Sequence, residues 1–299
     1  MNEHATIQGV TAMTSNNQVL QALKELGPFY YQPNPGNMGD HLIAHATREF
    51  FRKNSLPFSP FFMETLQRSE PFPLVYGGGG PFVPYYGMVP EIMRLLANPA
   101  VSRVVILPSS FYQCDEVAEL LDERVTVFCR EERSFRYLSR LNRRARVLLA
   151  HDMAFTLDAR QAVRNLPEEI LNDPEFREKA ALAGEGLHLL EDGRKALLFL
   201  RTDAEAGPES RQARECCKSF DLSGLARGST VDEERGRFYS GLFLHCLDQA
   251  DVVLTDRLHG AIGAYLLGKE TWLLDNSYGK ISGVYDFSMK GDSRTTLLQ

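Results

Sequence analysis

The sequence predicts an α/β fold built on a parallel, doubly wound sheet. Three observations predict it. Apolar runs of strand type alternate with helix-type stretches at about 25-residue spacing between Phe29 and Leu149. In each repeat the polar residues gather just after the strand, which lines them along one edge of a parallel sheet. After a polar, strand-poor stretch over 158–193, the pattern resumes between Ala196 and Leu274. The chain is therefore expected to form two α/β halves. A larger one covers 1–190 and ends in a helical connector; a smaller one covers 191–299.

The elements follow in order. Residues 1–14 read as a mobile leader. Val19, Leu20, Leu23 and Leu26 recur at helical spacing within Thr14–Leu26, and Gly27 with Pro28 stops that helix. Phe29–Tyr31 is a short strand. The turn-rich loop Gln32–Asp40 leads into a helix from Asp40 to Arg52. Leu74–Tyr76 is a strand that runs into four glycines, Gly77, Gly78, Gly79 and Gly80. Pro90–Ala97 is helical, Val104–Leu107 a strand ending at Pro108, and Asp115–Leu121 helical. Val125–Phe128 exits into Cys129, Arg130, Glu131 and Glu132. A helix then runs to Leu141, and Val147–Leu149 exits into His151 and Asp152.

The connector over 158–193 is read as one or two helices without strands. Ala196–Leu200 is a strong strand that exits into Arg201, Thr202, Asp203, Ala204 and Glu205. Gly207–Ser229 has weak signal, with a small strand expected near Phe220. Asp232–Gln249 is a helix that turns Phe238, Leu242, Phe243 and Leu247 to one side. Val252–Leu254 is a strand, Ala261–Leu267 a helix, and Glu270–Leu274 the last strand. Asn276–Lys280 is its exit loop, Ile281–Phe287 a short helix, and Gly291–Gln299 an unstructured tail.

Composition removes several classes of function. Hydrophobic content of 43% and charge of 24% are ordinary for a globular protein, and a net charge of −6 argues against a nucleic-acid partner. The five cysteines are scattered without a CxxC pair, which indicates free thiols and a cytoplasmic setting. The N-terminus lacks a basic segment followed by an apolar one, so no signal peptide is expected. No GxGxxG, GxxxxGK[ST], GxSxG or HExxH pattern occurs. Dinucleotide, P-loop and ordinary hydrolase chemistry have no support.

The most informative stretch is Asp251–Gly268, a strand, a charged turn and a helix. Arg257 and His259 stand at the turn, beside the positive N-terminus of the helix, which suits a phosphate or carboxylate. A fixed cation next to a proton carrier suggests chemistry on that anion, with His259 moving protons. Asp40 either caps the helix it begins or binds a hydroxyl. Four successive glycines exceed what a turn needs, so Gly77–Gly80 mark close approach of backbone to a ligand or tight packing. Arg130 follows a strand and precedes a helix. Arg133, Arg136, Arg140 and Arg144 share one helix face, which is either solvated or a dock for an anionic membrane surface. His41 and His45 form an i, i+4 pair without a third ligand, so helix packing explains them and no metal is expected.

The motifs NPGNMGDHLI (34–43), VYGGGGPF (75–82), FCREERSF (128–135), HDMAF (151–155), FLRTDAE (199–205), DRLHGAIGAYLLGK (256–269) and LLDNSYGKISGVY (273–285) run in order through most of the chain. In these the sequence resembles the polysaccharide pyruvyl transferase family, especially the bacterial exopolysaccharide enzymes. The resemblance implies two Rossmann-like domains facing a cleft, similar to the glycosyltransferase B-type fold, here without a closing C-terminal helix. It implies phosphoenolpyruvate as donor and, as acceptor, a sugar with two nearby hydroxyls in an exopolysaccharide or a lipid-linked oligosaccharide precursor. It associates Arg257, Leu258 and His259, and an earlier arginine, with the donor. Arg130 matches that arginine, and Arg133 competes with it. Lys280 would help hold the donor. Asp40, as a weaker candidate base, and the Gly77–Gly80 loop would face the acceptor. The scheme requires no cofactor or metal. A lipid-linked acceptor and the arginine face together suggest peripheral contact with the inner face of the membrane. Two other classes stay open, a nucleotide-sugar-dependent glycosyltransferase and a non-catalytic glycan- or phosphate-binding protein.

Overall fold

The structure is a computed structural model that describes residues 16–68, 70–84 and 89–298. The expected leader and the start of the first helix lie outside the described residues. In chain order, α1 (16–26), β1 (Phe29–Gln32), β2 (Gly36–Asn37), α2 (Met38–Lys53) and β3 (Phe58–Pro60) come first. They are followed by β4 (Phe72–Tyr76), β5 (Gly79–Phe82), α3 (Val89–Ala97), β6 (Val101–Phe111), α4 (Asp115–Leu120), β7 (Val125–Cys129), α5 (Glu132–Leu141) and β8 (Arg146–Leu149). The described residues pack as two compact units, one within 16–34 and 46–153 and one within 35–45 and 154–298. The sequence reading drew its boundary near 190. By contacts, residues 35–45 and 154–190 go with the second unit.

The first unit is built on a parallel sheet ordered β3-β1-β4-β6-β7-β8, with β5 also pairing β6. Leu74, Ile106 and Val127, from three successive strands, are fully buried. Strands covered on both faces read as continuous apolar runs, which is why they were legible. Truncating one such side chain to Ala costs about 2–5 kcal/mol. The strand order reverses direction between β1 and β4. Such a switch point opens a crevice outside the carboxyl ends of the strands.

The second unit adds α6 (Ala159–Arg164), α7 (Glu168–Leu171), α8 (Pro174–Ala183), β9 (Leu187–Leu189), β10 (Lys195–Phe199), α9 (Pro208–Cys216) and β11 (Arg227–Gly228). It closes with α10 (Glu233–Asp248), β12 (Val252–Thr255), α11 (Leu258–Leu267), β13 (Glu270–Leu273), α12 (Lys280–Val284) and β14 (Thr295–Leu297). Its sheet is ordered β14-β13-β12-β10-β9, parallel except for β9. The parallel strands therefore release their exit loops along one edge. The tail expected to be unstructured instead pairs with β13 through Thr295–Leu297. The connector holds three helices and β9 rather than one or two helices alone. Near Phe220 there is no strand; the Phe220 N–H donates to the Leu198 carbonyl at 2.9 Å, and a single 3₁₀ turn follows at Leu222–Leu225. These short pieces carry no period of their own and exist only through pairing.

Candidate functional site

In the second unit the charged turn after β12 is tied down residue by residue. Asp256 is fully buried, and its Oδ1 accepts the Arg201 N–H at 2.7 Å, which joins the exits of β10 and β12. Burial pushes the Asp256 carboxyl up from its ordinary range, against the opposing pull of Ser210 and of the Arg201 and Arg257 charges. The Arg257 N–H donates to Thr255 Oγ1 at 3.0 Å and starts α11. Leu258 is buried, so its side chain anchors the first turn of the helix in the core.

Arg257 is a well-occupied arginine. Its Nε donates to Asp221 Oδ1 at 3.2 Å and its Nη2 to Asp221 Oδ2, a side-on bidentate pair. Its Nη1 lies 2.9 Å from Asp203 Oδ2. Lys280, buried at the start of α12, donates from Nζ to Glu205 Oε2 at 2.8 Å. The same oxygen accepts from Arg201 Nη1 at 2.6 Å and from Asn276 Nδ2 at 3.1 Å. Three cations (Arg201, Arg257, Lys280) thus meet four carboxyl groups (Asp203, Glu205, Asp221, Asp256) at one sheet edge. Burial would raise Asp203, but hydrogen bonding to Arg201 and the charges of Arg257 and Arg201 outweigh it and hold its carboxyl below the ordinary range.

His259 stands in the first turn of α11, and Gly39 from the first turn of α2 lies against its ring. A Cβ on Gly39 would fall 2.8 Å from His259 Cγ, closer than side chains pack, so the glycine is what admits the imidazole. Two helix N-termini, each with its partial positive charge, therefore meet at this histidine. Asp40 follows directly. Its Oδ2 accepts the Asn37 N–H at 2.8 Å, while Asn37 Oδ1 accepts the Gly39 N–H at 2.8 Å. This is a reciprocal cap, the structural alternative weighed for Asp40. It is in the same unit as His259, because residues 35–45 leave the first unit and pair β2 with β11.

In the first unit the glycine run serves close backbone contact at the switch point. A Cβ on Gly77 would be 2.6 Å from the Asn34 nitrogen, in the loop after β1, and one on Gly78 would be 2.6 Å from the Pro108 carbonyl oxygen. Gly79 has a φ of 128°, and with Gly80 it forms part of β5 rather than an open loop. The Gly80 backbone faces the Arg130 guanidinium, with a Cβ there 3.5 Å from Nη2. Arg130 is buried; its Nε donates to Ser110 Oγ at 2.9 Å and its Nη1 to Asp152 Oδ2 at 2.7 Å. Removing one partner of such a buried pair costs about 3–5 kcal/mol, because the other charge is stranded.

The structure therefore gathers Arg257, Leu258, His259, Asp40 and Lys280 in the second unit, and Gly77–Gly80 with Arg130 in the first. Arg133, the competitor of Arg130, is exposed and stacks over the Tyr112 ring at 5.5 Å. Arg136 pairs with Glu132, and α5 ends at Leu141, so Arg144 lies past the helix instead of extending its basic face. His41 packs on Tyr239 at 5.0 Å between ring centroids, and His45 Nδ1 lies 2.9 Å from Ser240 Oγ. Sequence alone did not point to Asp203, Glu205, Asp221 and Asn276 as partners of the candidate cations, nor to Arg201 as a third cation sharing Asp203 and Glu205 with them. The polar exit Arg201–Glu205 was visible as such. Asp221 sits in a stretch with no period and carried no signal.

A family model and a relative of this chain both carry a pyruvyl transferase description. Residues 37–278 match a family model described as polysaccharide pyruvyl transferase, a span that holds every candidate above except Lys280. A Bacillus subtilis (strain 168) protein named "Putative pyruvyl transferase EpsO" is 26% identical, over an alignment covering 96% of this chain and 95% of that protein. A crystal structure of a functionally uncharacterized protein from Klebsiella pneumoniae subsp. pneumoniae NTUH-K2044 superposes with a TM-score of 0.76 at 28% identity, over 96% of this chain and 98% of that one. No helix among the described residues is long and apolar enough to cross a membrane.

Proposed function

This chain belongs to the polysaccharide pyruvyl transferase family, and from that premise we propose that it transfers the pyruvyl group of phosphoenolpyruvate to two hydroxyls of one sugar. The product is a pyruvate ketal on an exopolysaccharide or its lipid-linked precursor. The observation that carries the reading is the first turn of α11, where Arg257 adjoins His259 and two helix N-termini meet at the imidazole. An arginine there suits either anionic group of the donor, and an imidazole can both accept and donate a proton.

Protonation of the terminal enol carbon makes it a methyl group and leaves C2 electrophilic. One sugar hydroxyl adds to C2, the C–O bond to phosphate breaks, and the second hydroxyl closes the ketal. Of the two hydroxyl protons, one replaces the proton delivered to the methyl carbon and the other leaves with phosphate. His259 carries these protons in the proposal. Arg257 and Lys280 bind the donor, and Arg130 beside Gly80 is a further anion contact. Asp40, already engaged as a cap, is the weaker candidate base, and the Gly77–Gly80 backbone belongs to acceptor binding. The Rossmann-like character of each unit is supported by its parallel strands and intervening helices. Contact with an anionic membrane surface is supported by the exposed Arg133, Arg136 and Arg140.

A nucleotide-sugar glycosyltransferase is the reading to discriminate against. A ligand that binds the native state raises the melting temperature by mass action. Phosphoenolpyruvate is expected to do so and UDP- or GDP-sugars are not; stabilisation by a nucleotide sugar alone would overturn the donor assignment.

A further inference from the structure

The exits of β10 and β12 hold a feature that donor binding by Arg257 alone does not explain. Asp203 stands between two guanidinium groups. Its Oδ1 accepts from Arg201 Nε at 2.8 Å, and its Oδ2 lies 2.9 Å from Arg257 Nη1 and accepts from Arg201 Nη2 at 3.3 Å. Each arginine also has a carboxylate of its own, Glu205 for Arg201 and the bidentate Asp221 for Arg257. The three acids differ in access. The Asp203 side chain is 38% exposed, against 2% for Glu205 and 13% for Asp221. Glu205 and Asp221 therefore hold the arginines in place, and Asp203, whose Oδ1 also accepts the Glu205 N–H at 3.1 Å, is the most exposed of the three and the one a ligand can reach and displace.

We propose that Arg201 and Arg257 together form the cradle for an anionic group of the donor, phosphate or carboxylate, and that Asp203 fills this cradle until the donor displaces it. Carboxylate and phosphate oxygens satisfy the same fork of guanidinium N–H donors, so one replaces the other without moving the arginines. A phosphate brings more negative charge to the two cations than the carboxylate it displaces, which favours exchange. Asp203 is ionised at neutral pH, since the arginines hold its carboxyl below the ordinary range, and so it competes as an anion. The identity of the donor rests on the pyruvyl-transfer reading; the two-arginine cradle does not. Arg201 thereby becomes a second donor-binding residue, and Asp203 a residue that sets donor affinity.

The test is calorimetric titration of inorganic phosphate into the full chain and its variants. Asp203→Ala is expected to bind phosphate about tenfold tighter than the unaltered protein. Asp203→Asn, which keeps an acceptor of the same shape without the charge, is expected to fall between and covers a failure of the Ala variant to fold. Adding Arg201→Gln to either variant is expected to abolish the gain. Phosphate binding no tighter in either Asp203 variant overturns the proposal. Phosphate carries no pyruvyl group, so the outcomes separate. Tighter phosphate with no phosphoenolpyruvate turnover keeps the cradle and removes the function; turnover without tighter phosphate keeps the function and removes the cradle.

Discussion

Gly39 determines where the His259 imidazole stands, and it provides a test at the scale of one residue. A methyl group at position 39 would sit within van der Waals overlap of the ring. The overlap reaches His259 Cβ at 2.9 Å, which is fixed to the backbone of α11, so the two helix turns as well as the ring must shift, and Gly39→Ala is expected to destabilise by about 1–3 kcal/mol. Displacing a proton carrier by about 1 Å costs up to about a hundredfold in rate, so turnover is expected to fall at least tenfold. Thermal denaturation and initial rates on the same preparation check this, and unchanged turnover would remove His259 from the chemistry. The sequence exposed Arg257 and His259 because four polar residues, Thr255, Asp256, Arg257 and His259, interrupt an otherwise apolar strand and helix. It did not expose Gly39 as the neighbour of His259, since the two are 220 positions apart (259 − 39) and meet only in the folded unit. Asp221 was hidden for the same reason, being held to Arg257 from a stretch without periodicity.

At the scale of elements, the strands located from sequence are the apolar runs β1, β4, β6, β7, β8, β10, β12 and β13; β4, β6, β7, β10 and β12 are largely buried, whereas β8 lies at the sheet edge and β13 exposes Trp272. The ones it missed are short or rich in Gly and Pro, such as β3, β5 and β14, whose strand character comes from pairing. Helix α5 carries only part of the basic face that its spacing predicts. The spacing put Arg133, Arg136, Arg140 and Arg144 on one face. The helix, however, ends where Asn142 turns its side-chain amide to the Ala118 and Leu121 carbonyls, at 2.6 and 2.7 Å. What remains is an exposed patch of Arg133, Arg136 and Arg140 with the half-exposed Leu141 at its end. If this patch meets an anionic membrane surface, each arginine contributes about 1 kcal/mol. The double variant Arg136→Glu and Arg140→Glu is then expected to lose co-sedimentation with phosphatidylglycerol vesicles while keeping its melting temperature. Equal sedimentation of the variant and the unaltered chain would assign the patch to solvent.

For the whole molecule, the α/β class with parallel sheets was legible because the apolar runs, their spacing and their polar exits all pointed one way. The division into units was less so. Residues 35–45 were read with the first half because they precede its strands, yet β2 pairs with β11 and the first turn of α2 packs on His259. Chain order predicts membership only where neighbours in sequence are neighbours in the sheet. The consequence for function is that Asp40, His259, Arg257 and Lys280 belong to one compact unit, together with Arg201 and Asp203. The central claim is that this unit works on phosphoenolpyruvate to build a ketal. It is tested most directly by incubating the protein with phosphoenolpyruvate and a lipid-linked oligosaccharide, then weighing the glycan by mass spectrometry while counting released phosphate. One phosphate is expected to be released per pyruvate ketal gained, with both lost in His259→Ala. An unmodified glycan alongside phosphate release, or full turnover in His259→Ala, would contradict it.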